Sequence, residues 1–136
     1  MPNTPRTPYY PSNLRYTKEH EWVRLLDDGT ALVGITYFAQ DQLGDVVFLN
    51  LPKPGDRVVQ MKKMGEVESV KAVSDLFSPI SGEVLEVNRE AVEHPEVINQ
   101  DPYGKGWLLK VRPSDPKELN ALLTAQEYEA YVAGKG

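Results

Sequence analysis

The 136-residue chain contains no cysteine, which excludes thiolate nucleophiles, disulfide frameworks and cysteine-ligated zinc or iron–sulfur centres. Any redox chemistry must be borrowed. No apolar run approaches the ~20 residues of a membrane-spanning helix, and the first residues lack the apolar core of a secretory signal. A soluble intracellular protein without a membrane partner is expected, cytoplasmic if bacterial and in the mitochondrial matrix if eukaryotic. Basic runs are missing too. The formal net charge is −5, whereas nucleic-acid binding draws on clustered Lys and Arg that neutralise phosphates, so nucleic acid is not an expected partner. The two histidines, His20 and His94, have no metal-ligand spacing, and no Gly-rich phosphate loop or nucleophile triad is visible. His94, before Pro95 in an expected loop, is given no role.

What is present suits one compact domain, long enough to bury roughly two-thirds of the surface its unfolded chain exposes. Residues 1–15 read as a flexible N-terminal arm ahead of a single domain over 16–136. Met1 to Tyr16 has Arg6 and Arg15 but no acid, as a transit peptide would, yet Pro2, Pro5, Pro8 and Pro11 would disrupt the amphipathic helix such peptides form. Trp22 to Leu26 and Ala31 to Ile35 are apolar, β-favouring runs around Asp27-Asp28-Gly29-Thr30, a hairpin signal. Thr36 can cap a short helix through Gln42, and Gly44 can end it in the left-handed conformation. Val46 to Leu51 is a predicted strand, and Pro52-Lys53-Pro54-Gly55-Asp56 is turn chemistry before another from Arg57.

Met64 to Val87 carries β-branched residues throughout and is broken by Ser78-Pro79 and Ser81-Gly82, which predicts three strands joined by turns. An irregular segment is expected after Asn88, then a strand over Trp107 to Val111. Asp115-Pro116-Lys117-Glu118 and Thr124-Ala125-Gln126-Glu127 both carry helix-start patterns, so two short helices are expected, with Leu119, Leu122, Leu123, Tyr128 and Tyr131 facing the sheet. The pattern is mainly β, a small barrel or sandwich with helices appended.

A turn near Val70-Lys71, between two strand-like runs, would place Lys71 at an exposed tip. An amine there is open to an acylating enzyme, which must first deprotonate it, and a rigid hairpin lets that enzyme recognise a shape as well as a short sequence. Composition alone leaves Lys71 one solvated surface lysine among many. The segment Gly65-Glu66-Val67-Glu68-Ser69-Val70-Lys71-Ala72-Val73-Ser74-Asp75, however, closely resembles the lipoylation segment of the glycine cleavage H proteins. The likeness extends through Tyr16-Thr17-Lys18-Glu19-His20-Glu21-Trp22-Val23, Val33-Gly34-Ile35-Thr36, Leu43-Gly44-Asp45-Val46-Val47-Phe48, Ser78-Pro79-Ile80-Ser81-Gly82-Glu83-Val84, Asn99 to Leu108 and the tail from Pro113.

That resemblance implies a lipoyl-domain-like barrel-sandwich hybrid with a C-terminal helical segment, and a covalent lipoate on Lys71. It implies a carrier that catalyses nothing itself, probed in turn by glycine decarboxylase, a tetrahydrofolate-dependent aminomethyltransferase and dihydrolipoamide dehydrogenase, and modified by lipoate-attaching enzymes. A monomer is expected. Glu21 matches an acid that the family places in the cleft sheltering the arm, and Asp75 a second position near the lysine; His20 is a weaker candidate for the same cleft. Read without the resemblance, Glu21 is an exposed strand acid. Many family members carry an acid and then His or Tyr where this chain has Tyr37-Phe38, which implies a less polar cleft wall. Met61-Lys62-Lys63-Met64 distantly resembles the biotin carriers, whose modified lysine lies singly between methionines; here two lysines do, so a strand leading into the hairpin is expected. A biotin carrier and an H-like lipoyl donor or relay are the alternatives.

Overall fold

The computed structural model describes residues 10–134. In chain order its strands are β1 (Arg15–Tyr16), β2 (Glu21–Leu25), β3 (Ala31–Ile35), β4 (Val46–Asn50), β5 (Arg57–Val58), β6 (Lys63–Ser69), β7 (Val73–Phe77), β8 (Gly82–Val87) and β9 (Leu109–Pro113). Its helices are α1 (Tyr37–Leu43), α2 (Arg89–Glu93), α3 (Glu96–Gln100), a 3-10 helix (Pro116–Ala121) and α4 (Ala125–Ala133). One sheet has the order β1-β2-β3-β9-β8-β5 and the other β4-β6-β7, with every pairing antiparallel. The chain is thus mainly β, in two sheets with short appended helices.

The main core lies where the alternating apolar residues of both sheets meet. Val23, Val33, Val84, Leu109 and Val111 come from the larger sheet, and Leu49, Val67 and Leu76 from the smaller. Period-two alternation sends Trp22 to the opposite side from Val23. There it joins Leu14, Tyr16, Tyr128 and Val132 in a second cluster under α4. The rings of Tyr16 and Tyr128 stack at 4.8 Å. Since β2 is covered on both faces, Glu21, on the Val23 side, faces inward and is buried.

The Asp28-Gly29 hairpin, the Thr36-capped α1 ended by Gly44 at φ 78°, and the hairpin of β6 and β7 all form where their residues predict. Thr124 and Glu127 close a reciprocal capping box on α4. The segment after Asn88 differs from its expectation, because it holds two helices rather than irregular chain. Each spans five residues, too short for helical periodicity to register around Pro95. Burial of Ala91, Val97 and Ile98 holds them in place. At the first of the two helix-start patterns, Asp115 caps a 3-10 helix, and Glu118 reaches away to the Ser81 amide at 2.7 Å and its hydroxyl at 2.8 Å. Of the arm expected over 1–15, residues 1–9 lie outside the described residues. Tyr10 packs edge-on against Tyr16 and Tyr128, and Leu14 is buried beside them.

Gly65 sits where β6 is paired on both sides. A Cβ there would fall on the backbone carbonyl oxygen of Asn50, which cannot rotate away as a side chain would. Gly65→Ala is expected to lower stability by about 2 kcal/mol, read as a lower urea midpoint; an unchanged midpoint would show that β4 yields freely.

Candidate functional site

Lys71 sits at the tip between β6 and β7, as its sequence context predicts. The turn Ser69-Val70-Lys71-Ala72 contains no glycine and no positive φ. It is held instead by Ser69, whose buried hydroxyl accepts the amides of Lys71 at 3.2 Å and Ala72 at 3.1 Å. The Ser69 amide donates to the Ala72 carbonyl at 2.8 Å. Short hydroxyl side chains favour such local bonds to turn amides. A further tie runs from the Val70 amide to the Asp45 carbonyl, 3.0 Å. Lys71 itself is exposed, and its Cε lies close enough to Gly44 that a Cβ there would touch it at 3.4 Å.

Along β7 from this tip, Ser74, Asp75 and Leu76 enter the wall of a cleft of about 460 Å³. Asp75 is only four residues from Lys71, roughly 13 Å of extended strand. The opposite wall comes from α1, through Phe38, Ala39, Gln42 and Leu43; Glu19, His20, Glu21, Ile35 and Val67 complete the lining. The structure therefore brings His20, Glu21 and Asp75 together in one cleft, with Lys71 just outside it.

The three lie in different environments. Glu21 is 1% exposed, not the exposed strand acid of the unaided reading, because the second sheet and the 17–20 turn cover it. Its Oε1 accepts the Thr17 hydroxyl at 2.6 Å and its Oε2 the Phe77 amide at 3.1 Å. Burial pushes its carboxyl from the ordinary 4.5 up to about 8, against the lowering effect of those hydrogen bonds. Asp75 is half exposed and faces Lys63 Nζ at 3.3 Å. His20, in the left-handed region at φ 77°, bonds through Nδ1 to the Tyr128 hydroxyl at 2.8 Å, and its ring lies 4.7 Å from that of Phe38. The same hydroxyl meets Thr36 Oγ1 at 2.8 Å, so α4 braces the cleft from behind.

The departure at Tyr37-Phe38 divides between two roles. Phe38 gives the cleft an apolar wall, whereas Tyr37 is absent from the lining, and its amide donates to Tyr103 Oη at 2.9 Å. Lys63 begins β6 at the end opposite the turn, preceded by Met61 at φ 62° and Lys62 in the connecting bend. Sequence reasoning missed Thr17, which orders Glu21, and the apolar lining residues other than Phe38; period-two alternation was the available signal for Val67, but nothing local marked Thr17. Among the described residues, no cluster of three or more His, Asp or Glu is placed to hold a metal, and no helix is long and apolar enough to cross a membrane.

Residues 14–135 match the family model described as Glycine cleavage H-protein. A glycine cleavage system H protein of Symbiobacterium thermophilum is 55% identical over 122 residues, covering 90% of this chain and 94% of that one. One from Anaeromyxobacter sp. (strain K) is 56% identical over 123 residues, with the same coverages of 90% and 94%. The crystal structure of a glycine cleavage system H protein from Mycobacterium marinum superposes with a TM-score of 0.84 at 45% identity, covering 90% of this chain and 98% of that one.

The burial of Glu21 fixes the sign of a pH effect. A carboxyl whose pKa is about 8 folded and 4.5 unfolded holds its proton longer in the native state, so stability present below about pH 4.5 is lost as pH rises through 8. Glu21→Gln, which stays neutral, is expected to exceed the parent in urea midpoint near pH 8, with the gap closing toward about pH 5. Parallel pH profiles for the two proteins would refute the assignment.

Proposed function

The chain belongs to the glycine cleavage H-protein family, and from that membership we propose that it is a lipoyl carrier whose arm is attached to Lys71 Nζ. The observation that carries this reading is an exposed lysine on a hydrogen-bonded turn, rooted beside a cleft lined by both apolar and acidic side chains. The residues present fit such an arm. Ile35, Phe38, Leu43, Val67 and Leu76 would offer surface to its hydrocarbon chain, and Glu21, Asp75 and His20 would meet a charged cargo on it. Bound lipoate would supply a dithiolane that accepts an aminomethyl group on reduction.

The chain's own residues would then bind, shelter and neutralise. The turn presents Nζ to a lipoate-attaching enzyme, which removes its proton and joins it in an amide. Phe38 and Leu76 keep water from the cleft wall. A cationic amine drawn beside Glu21 would favour the ionised carboxylate and release its proton, since an adjacent positive charge lowers a carboxyl pKa. Thr17 and Phe77 already donate to the two oxygens that would carry that charge. Asp75 would add a second negative group at the more exposed side. Such tethering makes each encounter with a partner partly intramolecular.

On this reading residues 16–136 act as one non-catalytic carrier domain, in the bacterial cytoplasm. It takes the aminomethyl group from glycine decarboxylase to the tetrahydrofolate-dependent aminomethyltransferase, and dihydrolipoamide dehydrogenase reoxidises its arm. Lys71→Arg should fold as the parent does and should end glycine-dependent turnover in a reconstituted system, because a guanidinium does not accept the acyl group. Intact mass of the parent chain from its native cell should show a lipoyl adduct that the variant lacks. An adduct on the variant, or a biotin mass on the parent, would overturn the assignment.

A further inference from the structure

Asn99 lies on α3 and makes no hydrogen bond to Lys71 or to a residue lining the cleft, yet its amide is committed to α1 and the turn that follows it. Its Nδ2 donates to the Gly44 carbonyl at 2.9 Å and to Gln40 Oε1 at 3.0 Å, and its Oδ1 accepts the Val46 amide at 2.9 Å. These contacts straddle Asp45, whose carbonyl receives the Val70 amide at 3.0 Å. Lys71 is the next residue, with its stem against Gly44. On the other side, Gln40 is a buried residue of α1, the helix that supplies Phe38, Ala39, Gln42 and Leu43 to the cleft wall.

From these contacts we infer that Asn99 is a positioning residue, which fixes the root of the arm relative to the cleft by clamping the Gly44-Asp45-Val46 turn. This rests on the reading of Lys71 as the modified lysine. The β ladder alone does not hold the turn firmly. Pairing between β4 and β6 is irregular between Val46 and Phe48, and the Val46 amide is directed to Asn99. A carboxamide is suited to the task because it presents two donors and an acceptor from one rigid plane. Asn99 Nδ2 thus serves a carbonyl on the arm side and a side-chain oxygen on the cleft side, while Oδ1 holds the start of β4. An aspartate would keep the acceptor but turn an oxygen toward both the Gly44 carbonyl and Gln40 Oε1.

The consequence is a presentation defect without a docking defect, since the outer face of β4, β6 and β7 is left as it was. The test uses the full chain in its unmodified form, with lipoate, ATP and a lipoate ligase, at a temperature well below each variant's unfolding midpoint. Asn99→Ala and Asn99→Asp should each lower kcat about tenfold or more while KM changes little, as expected for a nucleophile held off its reactive geometry. Gln40→Ala, which removes one of the three contacts, should give a smaller loss of the same kind. Hydrogen exchange at the Val70 amide should accelerate in all three, with the amides of β8 and β9 unaffected.

A purely structural role would lower the midpoint and leave kcat at the parent value; that result overturns the inference even if exchange at Val70 changes. If the parent chain takes no lipoate at Lys71, the functional reading fails and this inference with it. Modification of the parent at Lys71 with unchanged kcat in the Asn99 variants overturns the inference alone.

Discussion

The hydroxyl of Ser69, buried beneath an exposed lysine, is the point on which the working end of this molecule depends. On the proposed reading of Lys71, a group to be visited by several partners must stand clear of the fold, and a group standing clear ordinarily samples many positions. Two hydrogen bonds from the turn amides to Ser69 Oγ, and one from the Val70 amide to the Asp45 carbonyl, resolve the conflict by ordering the backbone under Lys71 while leaving its side chain exposed. The rest of the architecture supports that arrangement. β6 is paired on both sides, α1 lines the cleft, and α4 braces His20 and Thr36 through a single tyrosine hydroxyl.

Much of this was legible in the sequence because the signals are local. Asp28-Gly29 marks a hairpin, Thr36 and Gly44 bound a helix, and Thr124 with Glu127 caps another; each acts within four residues and needs no distant partner. Lys71 was legible as a tip for the same reason, although its likeness to a lipoylation segment, not its setting, is what singled it out. What escaped local reading depends on contacts across the fold. Glu21 looks like an exposed strand acid until the second sheet covers it, and α2 and α3 exist because the core claims Ala91, Val97 and Ile98. Glu118 carries a capping pattern but finds a better partner in Ser81, 37 residues away.

If Glu21 meets a cationic cargo as proposed, stability and function oppose one another at one atom group. Burying an ionisable carboxyl beside Thr17 and Phe77 is unfavourable for its charged form, and the native state responds by retaining the proton. An apolar residue would avoid that cost but would leave the Thr17 hydroxyl and the Phe77 amide without their acceptor. On the proposed reading, the carboxyl leaves the cleft poised for a cation, with two donors already oriented toward the charge that would appear. Asp75, exposed and facing Lys63, needs no such arrangement. The two acids of one cleft therefore differ in kind.

Gly44 ends α1 at a φ of 78° and lies under the Lys71 stem. A residue that halts a helix is usually read as punctuation, but here the missing side chain also leaves a smooth rail beside Lys71. If Lys71 carries the arm, the end of the helix and the clearance beside its stem are thus set by one residue, and a side chain placed there would alter both.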